Sequence, residues 1–303
     1  MIGLLTAVYL AAHRETISLN AKTRAQFGGL YAQLPEGMTH YELLGNDDHA
    51  PLVVFLHGST VSIWDFDLQV KALLSAGFRV LRYDALGRGL SDRPEIAYTR
   101  DVYVSQLKHL LKYLKVSEPV FLLGHSLGGA TAMQFSASYP SKVRGIALLS
   151  PVINSVHVRA PFFVCNTPVV GDVLLRLAMI KILHVRANQQ WEGAPVDMSY
   201  YDELFARQTA IQGFEHAVCS MFQTDLIGDY RDTYKQVGES GIPGWLVYGG
   251  KDNAIWPGDV EALKSDMPSF RFRFFPDGAH SIHVQYSGVF NRELVRFFQS
   301  QLQ

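Results

Sequence analysis

The sequence predicts an α/β protein with a mainly parallel central sheet flanked by helices and a mostly helical cap inserted after the sixth strand. Three observations predict it. Short apolar runs alternate with amphipathic helical patterns from about residue 50 to the end, the order that packs helices on both faces of a parallel sheet. One glycine-flanked serine, in Gly124-His125-Ser126-Leu127-Gly128, lies directly between a strand pattern and a helix pattern. Between Pro151 and Gly241 the alternation stops and helical patterns dominate.

The elements follow in order. Two strand-like stretches lie within 27–44. Leu52–Leu56 is a continuous apolar run broken by His57-Gly58, as suits a strand buried on both faces. Trp64–Ser75 reads as helix and Phe78–Tyr83 as a second buried strand leading into a glycine-rich loop. Thr99–Lys115 is amphipathic, with Leu107, Leu110, Leu111 and Leu114 on one face and lysines off it. Strand Pro119–Leu123, helix Ser126–Ser138 and strand Val143–Leu149 complete the first half. Downstream, "GWLVYGG" and "FRFRFFP" are strands with a helix around Pro257–Met267 between them, and helix Ser287–Gln299 closes the chain. Residues 1–150 and 242–303 therefore form the core domain. Residues 151–241, about 90 residues, form the cap, long enough to be a small subdomain. "VGDVLLRLAMIKIL", "YYDELFARQTAIQGFEHAVCSMF" and "IGDYRDTYKQV" supply its helices.

The 303 residues include 48% hydrophobic ones and carry a net charge of −1, enough apolar material for a large core. That balance offers no electrostatic reason to bind nucleic acid. The two cysteines, Cys165 and Cys219, have no metal-binding spacing and read as unpaired thiols in a reducing compartment. Met1–Ala12 is apolar and uncharged but too short to span a bilayer, which takes roughly 20 residues. It reads as a helix packed on the body or docked on a partner, with a peripheral membrane contact as the second reading. The expected location is cytoplasmic, with membrane association through that segment the open variant.

The chemistry centres on Ser126. A nucleophile on a very sharp turn strains its backbone, and side chains two residues to either side would clash, so glycine at both places is a steric requirement. A serine alcohol needs a base. Of eleven histidines, His280 stands just after the last strand, at the sheet edge where Ser126 must also lie. His283 is its nearest competitor and reads as structural or pocket-lining. The base needs a carboxylate to fix its tautomer, and Asp252 follows the preceding strand at the same edge. The Leu127 N–H and the Ser59 N–H, in the loop after Leu52–Leu56, are the candidate donors to a tetrahedral oxyanion. Trp64 and His125, beside these positions, are the candidate substrate contacts. No metal or cofactor is expected.

At this point "LHGS", "YDALGRGLSDRP", "GHSLGGA", "YGGKD" and "DGAH" stand together in one order. In that order the sequence resembles the α/β-hydrolase family from about residue 38 onward. It looks most like monoacylglycerol-lipase-like and esterase-like serine hydrolases. The resemblance implies the chain order Ser126, Asp252, His280 for a triad and a mainly structural role for Asp84, Gly87, Gly89 and Ser91. An aspartate nucleophile, as in related dehalogenases and epoxide hydrolases, is excluded by Ser126. The expected activity is hydrolysis of a small apolar carboxylic ester through an acyl-enzyme. The alternatives are C–C bond or lactone hydrolysis by the same triad, or a catalytically weak ligand receptor on the same fold. The oligomeric state is left open.

Overall fold

A computed structural model describes residues 15–154, 191 and 196–302. Helix α1 (Ala21–Phe27) leads into β1 (Leu30–Leu34) and β2 (Gly37–Leu44), followed by β3 (Leu52–Leu56). A 3₁₀ turn at Ile63–Phe66 runs into α2 (Asp67–Ser75); β4 is Arg79–Tyr83 and α3 Arg100–Tyr113. Then come β5 (Val120–His125), α4 (Leu127–Ser138) and β6 (Val143–Leu149). Among the described residues, three helices follow: α5 (Met198–Ala210), α6 (Phe214–Gln223) and α7 (Arg231–Glu239). The chain ends with β7 (Gly244–Gly249), α8 (Pro257–Leu263), β8 (Phe270–Phe275), α9 (Ile282–Gln285) and α10 (Ser287–Gln299).

The eight strands form one sheet in the order β1-β2-β4-β3-β5-β6-β7-β8. β2 runs antiparallel to β1 and β4, and every pairing from β4 to β8 is parallel. The predicted fold class is the observed one.

Strand side chains alternate between faces, and here each face has its own core. Val54, Leu56, Leu122, Ile146, Leu148 and Leu246 point into the layer of α3, α4, α7 and α8. Val53, Phe55, Phe121, Leu123, Leu149 and Val247 point to the other side, where Leu73 of α2 and Phe290, Leu294 and Phe298 of α10 cover them. The buried strands are apolar at nearly every position because neither face meets water.

Parallel strands all finish at one edge of the sheet. The loops after β3, β4, β5, β7 and β8 therefore converge there, and the insertion that follows β6 leaves from the same edge.

Inside the insertion, "YYDELFARQTAIQGFEHAVCSMF" is two helices rather than one. Gly213 sits at φ +90 between them, where a β-carbon would also lie 2.7 Å from the Arg93 side chain. The chain just before it bridges to Ile17, with Gln212 N–H donating to the Ile17 carbonyl at 2.8 Å. Helix α7, within the predicted cap range, packs on α4 of the core: Thr233 donates to Gln134 at 3.0 Å, and Tyr234 and Val237 enter the sheet's hydrophobic layer. The cysteine expectation is corrected. Cys219 is disulfide-bonded, and Cys165 lies outside the described residues. So do Met1–Ala12 and the predicted helix "VGDVLLRLAMIKIL". Among the described residues, no helix is long and apolar enough to cross a membrane.

Candidate active site

Ser126 joins β5 to α4 with φ 53 and ψ −118, a conformation non-glycine residues rarely adopt. The surrounding packing enforces it. The Ser126 N–H donates to the Leu149 carbonyl at 2.9 Å, and the Ser126 carbonyl accepts from Gly129 and Val152. A β-carbon on Gly124 would lie 2.6 Å from the Gly128 carbonyl, and one on Gly128 only 1.9 Å from the Leu56 carbonyl. Gly128 is thus required by the approach of α4 to the end of β3 as well as by the turn itself.

Asp252 and His280 are brought together from the loops after β7 and β8. Their contact runs from the ring Nδ1 to the carboxylate, at 2.9 Å to Oδ2 and 3.1 Å to Oδ1. Both are buried. The Ala254 and Ile255 N–H groups also donate to Oδ1, at 2.8 and 2.9 Å, so the carboxylate is fixed before the histidine reaches it. A ring that donates Nδ1–H leaves Nε2 as its basic atom. Burial alone would lower the His280 pKa. The charge and hydrogen bond of Asp252 outweigh burial, with help from the charge of Asp65, and hold it above 6.5. Burial would raise Asp252, but the same pairing with His280 brings its pKa below the usual value. Asp277, the other acid near His280 in sequence, is an exposed partner of Lys251 at 2.7 Å.

Ser59 and Leu127 line one small cavity of about 20 Å³ with His57, Gly58, Arg88 and Thr131, room for about one water. Leu127 opens α4, so its N–H has no partner within the helix. The Ser59 N–H shares a peptide plane with the Gly58 carbonyl. That carbonyl accepts from His57 Nδ1 at 2.8 Å, while His57 Nε2 accepts from the Ala85 N–H at 2.9 Å. The Ala85 donor fixes the His57 tautomer, and the His57 donor fixes the plane that carries the Ser59 N–H. Burial lowers the His57 pKa, against the pull of Asp84, so the ring stays neutral at neutral pH. The next two carbonyls are held as well: Arg88 Nε donates to Ser59, and Gln208 Nε2 to Thr60 at 2.6 Å.

Trp64 and His125, expected to touch substrate, are both buried, and Trp64 lines a cavity of about 180 Å³ with Ser62, Asp67 and Tyr200. Trp64 joins Trp191 and Tyr201, each with its ring 5.7 Å away, in a cluster with Val61 and Val284. His125 donates Nδ1–H to Asp65 at 2.8 Å, and its ring lies 4.8 Å from His280 and 4.7 Å from His283. His283 binds Asp65 rather than Asp252. Asp84 is structural, accepting from Leu90 N–H and Ile63 N–H and pairing with His40 at 2.8 Å.

Sequence reasoning missed Asp65 and Arg88. Asp65 looks like an ordinary acid at a helix start, yet it is 1% exposed. Arg88 looks like a solvated loop residue, yet it is equally buried, with its guanidinium between Ser59, Gly87 and Met221 and 5.5 Å from the Phe214 ring. No local pattern distinguishes either from a surface charge. Among the described residues, Asp65, His125 and His283 could supply metal ligands, their donor atoms lying within 4.8 Å of one another. One nitrogen of each ring is hydrogen-bonded to Asp65, so the geometry is that of a hydrogen-bonded cluster.

The family model of the alpha/beta hydrolase family matches residues 53–293. An uncharacterized protein of Mycobacterium tuberculosis H37Rv is 33% identical over 134 residues, 43% of this chain and 38% of that protein, so the chain spans well under half of that relative's length. A 2-hydroxy-6-oxononadienedioate/2-hydroxy-6-oxononatrienedioate hydrolase of Cupriavidus pinatubonensis is 25% identical across 88% of this chain and 94% of its own. An sn-1-specific diacylglycerol lipase of Danio rerio is 26% identical across 91% and 87%. Among solved structures, the enol-lactonase from Burkholderia xenovorans LB400 superposes with a TM-score of 0.73 at 22% identity, covering 89% of this chain and 100% of its own. These likenesses agree with a sheet edge that carries a serine on a strained turn and a buried carboxylate–histidine pair, and by them the chain belongs to the alpha/beta hydrolase family.

Proposed function

We propose that this protein is a serine hydrolase that cleaves a carboxylic ester without a cofactor. Ser126 is the nucleophile, His280 moves the proton from Ser126 to the leaving alcohol, and Asp252 holds and charges His280. The Ser59 and Leu127 N–H groups receive the oxyanion. Water then takes the place of the alcohol, and His280 activates it by the same route to release the acid. The observation that carries this reading is the buried Asp252–His280 pair, its carboxylate preset by two backbone donors, at the same sheet edge as Ser126. A neutral imidazole Nε2 with a raised pKa is the base an unactivated serine requires.

An apolar acyl or monoacylglycerol-like substrate suits the apolar cap residues, of which Phe205, Phe214 and Met221 are buried. The lipase among the relatives supports that class. The test is a series of p-nitrophenyl esters of increasing acyl length, with Ser126→Ala as control, alongside labelling by a fluorophosphonate probe. Hydrolysis and labelling that both depend on Ser126 are expected. Labelling without turnover would favour the weakly catalytic receptor, and neither would overturn the reading.

Arg88 favours a second reading. It is a buried cation lining the oxyanion cavity, and its described acceptors are two carbonyls and a thioether, none of them an anion. A substrate that develops an enolate or carries a carboxylate would find its charge answered there, as C–C hydrolysis of a diketone or opening of an enol lactone would require. The dienedioate hydrolase relative belongs to that chemistry. A carboxylate-bearing ring-cleavage diketone and an enol lactone, assayed beside the esters, decide between the two by the ratio of kcat/KM.

A further inference from the structure

The buried carboxylate of Asp65 touches one residue beside each part of the proposed site. Its Oδ2 accepts from the Gly58 N–H at 3.0 Å, next to Ser59. The same oxygen accepts from His125 Nδ1 at 2.8 Å, next to Ser126. Its Oδ1 and its backbone carbonyl both face His283 Nε2, at 3.3 and 2.8 Å, three residues beyond His280. Asp65 is 1%, His125 2% and His283 0% exposed.

The acceptors on Asp65 assign the tautomers: His125 carries its proton on Nδ1 and His283 on Nε2. The two remaining ring nitrogens, His125 Nε2 and His283 Nδ1, are buried without partners. They are then bare lone pairs, not stranded N–H donors, and Asp65 receives one donor from each ring. Burial would raise the Asp65 pKa, but His125 and His283 together hold it well below the ordinary carboxylate range. A buried charge of this kind is costly, and apolar side chains of the same shape are often at least as stabilising. What the carboxylate supplies that they cannot is a single rigid acceptor shared by three loops.

We propose that Asp65 is a positioning residue that holds the oxyanion loop, the nucleophile turn and the His280 loop in one register. The proposal rests on the assignment of Ser126, His280 and Ser59 above. Asp65 reaches none of the reacting atoms; it acts through Gly58, His125 and His283. It also contributes charge. The ionisable groups around His280 are Asp252 from the loop after β7, Asp65 from the turn before α2, and His125 from β5, and the two acids raise its pKa. Removing the Asp65 charge therefore lowers the His280 pKa. Because His280 works in its neutral form, the acid limb of the rate profile moves to lower pH.

The test compares Asp65→Asn and Asp65→Ala with the unaltered chain in p-nitrophenyl ester turnover and in the rate of fluorophosphonate labelling. The asparagine oxygen can still accept from Gly58 and His125 without the charge; alanine removes both. Groups that hold the ligands of a metal site change activity by about 10–100-fold when removed, and the same scale is expected for a carboxylate that holds the loops of this site. Alanine should lower kcat by about 100-fold with KM within about threefold, asparagine should recover to about 10-fold, and both should shift the acid limb to lower pH. Variants that melt cooperatively, keep kcat within about twofold and leave the acid limb in place overturn the proposal, as does a loss confined to KM. Should alanine fail to fold, asparagine carries the test alone. Amide resonances of labelled protein read the register without activity. In Asp65→Asn, shifts that reach Ser59, Ser126 and His280 support the proposal, and shifts confined to Gly58, His125 and His283 overturn it. An unaltered chain that neither labels nor turns over would overturn the proposed function instead, with the resonance comparison still deciding the role of Asp65.

Discussion

Two carboxylate–histidine pairs lie side by side under the same sheet edge, with nearly the same geometry and opposite titration. In Asp252–His280 the ring Nδ1 meets a carboxylate oxygen at 2.9 Å; in Asp65–His125 the distance is 2.8 Å. All four residues are buried. Yet the His280 pKa is held above 6.5, while that of His125 is lowered to about 4. Burial penalises the charged ring in both. His280 is repaid by Asp252 together with the charge of Asp65. His125 must share Asp65 with His283, and the neighbouring His280 and His283 disfavour its protonation further. A carboxylate beside a histidine is thus not enough to make a base; the remaining charges decide whether the pair works as a base or as a fixed strut.

The largest effect that could break this comparison is at Ser126, the proposed nucleophile. Ser126→Ala should abolish fluorophosphonate labelling and lower ester turnover by about 10⁴-fold or more. Asp252→Asn comes next. It leaves the shape but removes the charge and the tautomer control, so kcat should fall by about 10⁴-fold. Any residual activity should persist to lower pH than in the unaltered chain, whose own acid limb should fall above pH 6.5. His125→Gln sharpens the contrast: because His125 is neutral throughout the working range, the loss should be about 10-fold, with the acid limb moved little. If His125→Gln moved the limb as far as Asp252→Asn, the two pairs would be functionally alike and the distinction would fall. Arg88→Met removes the donor to the Ser59 carbonyl while keeping an apolar stem of similar length. It should lower kcat on esters by about 10-fold, read by steady-state kinetics, and more on a carboxylate-bearing diketone if the second reading holds. Trp64→Ala is expected to act on stability, by about 3 kcal/mol in a denaturant melt, because it empties the Trp64–Trp191–Tyr201 cluster.

Much of the sheet was legible because its strands are buried on both faces, so Leu52–Leu56 and Val143–Leu149 read as unbroken apolar runs with their ends correctly placed. The pairing of Asp252 with His280 was legible for a topological reason: parallel strands end on one side, and both residues follow strands. His125 was expected to touch substrate because it stands next to Ser126; side chains alternate along β5, and its ring lies in the layer of Phe66 and His283. Cys219 was expected to be a free thiol and is disulfide-bonded on α6; a lone cysteine in a helical pattern carries no local sign of pairing.

By itself the sequence determined the α/β class, the strained turn under Ser126 and the order of the residues after each strand, since all three follow from short-range sterics and strand periodicity. Only the tertiary structure decided which charges are buried. Asp65 and Arg88 are indistinguishable from surface residues until distant segments close over them. Burial then turns one into an acceptor shared by Gly58, His125 and His283 and the other into a cation beside the proposed oxyanion loop.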